Sequence, residues 1–111
     1  MLADDFRRLA LALPETEERE HHDHPDFRVG GKVFATLGPD GEWAMLKLTP
    51  EAQARCVDAR PKVFEAFPGA WGKQGCTRVW LAKAKEADVS KLVETAWRRT
   101  APKRLSEGRH D

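Results

Sequence analysis

Residues 27–38 read FRVGGKVFATLG, and the fold turns on what the two adjacent glycines do. A Walker-type phosphate loop needs GxxxxGK followed by Ser or Thr and opening into a helix, because the loop amides and the helix N-terminus grip the phosphate together. Here the glycines run into KVFATL, which is β-branched and aromatic and carries no helical stripe. Two glycines are instead well suited to the central positions of a two-residue hairpin turn, where both φ angles are positive. That register sets Val29 opposite Lys32 and Phe27 opposite Phe34, an aromatic cross-strand pair.

Working outward, Gly38-Pro39-Asp40-Gly41 is a second turn signal, and Trp43 to Leu48 alternates in the manner of a strand. A three-stranded antiparallel meander follows. Upstream, Phe6, Leu9, Ala10 and Leu13 recur at helical spacing, which predicts a helix from Ala3 to Leu13, stopped by Pro14. Downstream, Thr49-Pro50-Glu51 opens a helix that ends before Pro61. Residues 61–69 are predicted to form another short helical turn burying Val63, Phe64 and Phe67, and the glycine-rich PGAWGKQG of 68–75 reads as a loop. Thr77 to Ala82 gives a fourth strand, with Val79 and Leu81 on one face and Arg78 and Trp80 on the other. Asp88 is expected to cap a last helix lined by Val89, Leu92, Val93, Ala96 and Trp97 and closed by Pro102. The expected fold is α+β, an antiparallel sheet of about four strands flanked by helices. One domain is expected over residues 1–105, with 106–111 a frayed tail.

With 111 residues, 41% apolar and 33% charged, the chain suits one modest core rather than a disordered segment. No stretch approaches the roughly 20 apolar residues of a membrane span. Asp4 and Asp5 precede a very short apolar run and the acidic ETEERE follows it, so no signal peptide is read and a cytoplasmic protein without membrane association is expected. Cys56 and Cys76 lack CxxC spacing, which argues against a disulfide or zinc site.

The formal charge of +1 hides an asymmetry. Residues 1–26 hold eight acids against three bases, and residues 27–111 hold sixteen bases against ten acids. Such a late basic excess can attract a polyanion.

His21-His22-Asp23-His24 invites a metal reading, since in a strand His22 and His24 would share a face. No third ligand offers itself in the sequence, so no metal is assigned. Ser90 and Ser106 lack a nucleophile elbow, and neither a catalytic residue nor a cofactor is assigned. Lys32, Lys47 and Arg78, interleaved with Trp43 and Trp80 on one sheet face, would match the way single-stranded nucleic acids are steered and stacked. Against this, Trp80 and Trp97 are expected in the core, while Trp43 and Trp71 stay open.

Taken together, HPDFRVGGKVFATLG, MLKLTPEAQ, VFEAFPGAWGKQGCTRVWLA and ETAWRRTAPKRL resemble the MmcQ/YjbR-like family from Leu9 to Leu105. The resemblance implies a compact CyaY-like α+β fold and a double-wing DNA-binding role, with no catalytic set. The family pattern falls on Phe27, Gly31, Lys32, Phe34, Lys47, Trp71, Gly72, Trp80 and Trp97.

Two functional expectations result. In the first, Lys32, Lys47, Lys73, Arg78, Arg98, Arg99, Lys103 and Arg104 meet the phosphates of DNA or another nucleic acid with little base readout. In the second, His24, Lys32, Lys47 and Trp71 line a pocket for a small anionic ligand or a protein partner.

Overall fold

Gly30 and Gly31 take φ of +59° and +78°, the left-handed values that a tight hairpin turn demands and a Cβ opposes. In the computed structural model, which describes residues 1–107 apart from the side chain of His21, they join β2 (His24–Val29) to β3 (Lys32–Leu37). Val29 lies opposite Lys32, as the turn predicts. The expected pairing of Phe27 with Phe34 is corrected by one residue: Phe27 faces Ala35, because the ladder shifts between Phe27 and Arg28 and leaves Phe34 as an extra residue of β3. Phe27, Phe34 and Ala35 are all buried.

Among the described residues the sheet has six strands. β1 (Glu17–His21) precedes β2, then come β4 (Trp43–Lys47), β5 (Phe64–Ala66) and β6 (Cys76–Trp80), in the order β1-β2-β3-β4-β6-β5 with every pair antiparallel. The helices are α1 (Ala3–Leu11), α2 (Pro50–Ala59), α3 (Ala70–Lys73), α4 (Glu86–Thr100) and α5 (Lys103–Ser106), with a 3-10 turn over Leu81–Lys83.

Several boundaries differ from the sequence reading for definable reasons. α1 stops at Leu11, because the residue before Pro14 is held out of the helical region. Residues 61–69 hold a strand in place of the expected helical turn, since β6 offers a free edge on which Phe64, Glu65 and Ala66 pair with Val79, Arg78 and Thr77. The loop of 68–75 contains the four-residue α3. α4 begins at Glu86, so Asp88 sits in its first turn and not at its cap, and the Asp88 carboxylate goes to Arg60 at 3.4 Å. Where capping was expected at Thr49, the structure has it: Thr49 Oγ1 accepts from the Ala52 amide at 3.1 Å. Thr49→Ala should therefore cost about 1 kcal/mol in urea unfolding, and a cost within experimental error would show the cap to be idle.

One face of the sheet is the core. Phe27, Val29, Leu37, Leu46 and Val79 meet Phe6 and Ala10 of α1 and Val89, Val93, Ala96 and Trp97 of α4. Trp97 is fully buried, as expected, and its indole Nε1 donates to the Pro14 carbonyl at 3.1 Å. The acidic opening segment is tied down by arginines: Arg7 to Asp4 and Glu18, Arg8 to Asp5, Arg19 to Glu17 and Arg104 to Glu15. Hydrogen bonds from Arg104 hold the Glu15 carboxyl below its ordinary range. Among the described residues no helix is long and apolar enough to cross a membrane.

Candidate ligand-binding site

The other face of the sheet is hollow, and strand alternation decides what lines it. His24, Asp26 and Arg28 of β2 point there, opposite in sense to core-facing Phe27 and Val29. On β3 the bulge brings Val33 and Thr36 to the same side, three residues apart, which an unbroken strand would forbid. Trp43, Met45 and Lys47 follow from β4, and Cys76 from β6. Phe67 and Trp71 rise beside them from the segment between β5 and β6 and close one wall. The resulting cavity has a volume of about 450 Å³, within the range of small-molecule sites.

The aromatic wall is braced by Arg78. Its guanidinium carbon lies 5.1 Å from the Trp43 ring centre, 4.9 Å from Phe67 and 5.3 Å from Trp80, and its Nη1 meets Glu65 Oε1 at 3.0 Å. Trp80 is therefore half-buried on this side and not a core residue as expected, because it faces Trp43 across the ladder rather than the helices. Trp43 also packs against His24 at 5.9 Å and Phe67 at 5.6 Å between ring centres.

Asp26 is only 4% exposed, and both its carboxylate oxygens are taken by Arg28, at 3.0 and 3.1 Å. Those hydrogen bonds hold the Arg28 guanidinium above its ordinary range. Trp71, by contrast, is 58% exposed, with Lys47 Nζ 5.6 Å from its ring centre. α3 is held in place by Gln53 of α2, whose side-chain amide donates to the carbonyls of Gly72 at 3.0 Å and Cys76 at 2.9 Å. Burial pushes the thiols of Cys56 and Cys76 up, away from the reactive thiolate.

Of the four residues expected to line a pocket, His24, Lys47 and Trp71 do so. Lys32 does not: it pairs with core-facing Val29 and so emerges on the opposite side from Lys47 and Arg78. Among the other cations, Arg99 lies beside Lys47, with Nη1 3.4 Å from the Lys47 carbonyl, while Lys73 ends α3. Arg98 turns to Glu94 and Arg104 to Glu15, and Lys103 is exposed on α5. His22 reaches the cavity as well, though not along a strand. It and Asp23 form the turn between β1 and β2 with φ of +50° and +64°, so the alternation argument for a shared strand face does not hold there. Among the described residues no three His, Cys, Asp or Glu side chains group as a metal site. Asp26, Arg28, Val33, Thr36, Met45, Phe67, Cys76 and the supporting Gln53 were not picked out from sequence. Residues 24, 26 and 28 carried a usable signal in their alternation, whereas Gln53 carried none.

A sheet packed by helices on one face, with an aromatic hollow edged by cations on the other, defines the chain as a small α+β domain with one concave, open sheet face. The YjbR family model matches residues 11–99, and the chain belongs to the YjbR family. Its structure resembles that of Deinococcus radiodurans protein DR2400, a DUF419 domain, with a TM-score of 0.78 at 18% identity, over 95% of this chain and 85% of that one. That likeness shows the fold. No curated protein matches the chain.

Proposed function

We propose that this chain is a small-ligand-binding domain whose open sheet face takes a flat, largely apolar molecule. The observation that carries the reading is the cavity between the sheet and Trp71, walled by Trp43, Phe67, Trp71 and Met45 and edged by Lys47 and His24. An apolar wall with a few converging polar groups is the usual form of such sites. An indole left 58% exposed has most of its face available to a ligand. Trp71→Ala should leave the melting temperature within a few degrees of the parent, because little is lost from the core, and should weaken binding of an aromatic ligand by about tenfold or more. Thermal-shift screening of a metabolite panel followed by calorimetric titration reads both quantities. A panel in which no aromatic compound raises the melting temperature would sink the proposal.

A second reading, contact with nucleic acid on the same face, is favoured by one observation: the exposed Trp71 stands beside Lys47, the pairing of stacking platform and cation used for single strands. It requires oligonucleotide affinity that falls steeply with salt. Titration of labelled single and double strands at two ionic strengths separates the readings.

A further inference from the structure

A second, smaller hollow adjoins the first. It is lined by Leu48, Gln74 and Arg99 and shares Lys47, Trp71 and Cys76 with the larger cavity, so the two meet at Lys47. The larger hollow is aromatic. The smaller presents two cations, and Arg99 is hydrogen-bonded to the backbone of Lys47.

Arg99 differs from most of the chain's arginines, while Lys47, like the other lysines, is in no ion pair among the described residues. Of the ten arginines among the described residues, eight hold a carboxylate: Arg7, Arg8, Arg19, Arg28, Arg60, Arg78, Arg98 and Arg104. Neither Arg99 nor Lys47 has a carboxylate within ion-pair distance among the described residues, although the chain is rich in acids. Burial raises the Cys76 thiol, while Lys47 and Arg99 both pull it the other way, so both positive charges bear on the junction between the hollows. Charge left uncompensated beside an apolar wall disfavours neutral occupants and favours an anion that can take both donors.

We infer that the ligand of this face is a flat aromatic ring system bearing one terminal anionic group, the ring lying against Trp71 and Trp43 and the anion between Lys47 and Arg99. This rests on the pocket reading above. A carboxylate and a phosphate monoester share the required chemistry, so the two sources are separated by the probes.

The test is calorimetric titration of the full chain with indole-3-acetate and adenosine 5′-monophosphate, each against its neutral counterpart, 3-methylindole and adenosine. The anionic member of at least one pair should bind about tenfold or more tightly than its neutral partner. Lys47→Gln and Arg99→Gln should each remove most of that preference, Arg99→Gln with the neutral compound's affinity close to the parent's because Arg99 lies outside the aromatic cavity, and Arg99→Lys should restore part of it. Binding of the indole pair alone assigns a carboxylate ligand, and binding of the adenine pair alone assigns a phosphate ligand. Neutral compounds binding as well as their anionic partners, or a preference that survives both Gln variants, overturns the anion seat and leaves the pocket standing. No binding by any of the four overturns both. Arg99 is exposed, so its variants should fold, and their melting curves check that they do.

Discussion

Replacing Gly75 by alanine is expected to lower the stability of this protein by about 3–5 kcal/mol, the sum of left-handed backbone strain and a core-type clash. Gly75 has φ of +110°, and a Cβ there would lie 2.0 Å from the Leu48 carbonyl oxygen and 2.8 Å from the carbonyl carbons of Leu48 and Thr49. All three atoms are backbone, at the junction between β4 and α2, so no side chain can swing aside. The Gly75 carbonyl also accepts from the Leu48 amide at 3.3 Å and from the hydroxyl of fully buried Thr77 at 2.9 Å. A shift that relieves the clash must therefore loosen two further hydrogen bonds. Gly31→Ala is the matched control, since φ there is +78° but no atom lies within 4 Å of the added methyl. It should cost only about 1–2 kcal/mol. On melting, Gly75→Ala should fall by roughly 10–20 °C, and a loss no larger than that of Gly31→Ala would show that the close approach to Leu48 does not set the cost.

The candidate site is less legible in the sequence than the fold. The Gly30-Gly31 turn, the Thr49 cap and the stripe ending at Trp97 are local patterns, with both partners within a few residues of each other, and all three were legible. β1 was not. Its EEREH has no apolar alternation, because an edge strand over an open face buries little, and its turn uses His22-Asp23 where glycine would have marked it. β5 was misread for a related reason: Phe64 and Ala66 are strand residues only because β6 lies beside them, a fact fixed by contacts made far along the chain.

For the site, sequence supplied His24, Lys47 and Trp71 but misplaced Lys32: unbroken alternation along β3 would set Lys32 on the cavity face with Thr36, and the bulge at Phe34 puts it on the other. A one-residue slip reverses the face of every later side chain in a strand. Charge was the least legible of all. A count of late cations suggested a basic surface, yet Arg78, Arg98 and Arg104 each close on a glutamate in the fold. Among the described residues Lys47 and Arg99, which both line the smaller hollow, have no carboxylate partner; they lie far apart in sequence and meet because α4 packs across β4.

That packing depends on Trp97, and Trp97→Ala is expected to cost about 3–5 kcal/mol, in the range of large aromatic deletions from a core. The side chain is 0% exposed and lies among Phe6, Phe27 and Val93 in the same cluster. Its indole also ties the end of the α1 segment to α4 through the Pro14 carbonyl. Two contributions can be separated. Trp97→Phe keeps most of the apolar volume but removes the bond to the carbonyl of exposed Pro14, and should cost about 0.5–1.5 kcal/mol. Trp97→Ala adds the cavity. With total stability of about 5–15 kcal/mol for a domain of this kind, the alanine variant should have a clearly lower urea midpoint, with the slope of the transition unchanged unless the native state itself loosens. Because Arg99 follows two residues later on α4, the alanine variant should also lose preference for an anionic over a neutral aromatic ligand before it loses affinity for the neutral one. Urea midpoints of the two variants within 0.2 M of the parent would mean that α4 is held by something other than this indole, and the alignment of Arg99 with Lys47 would then need another cause.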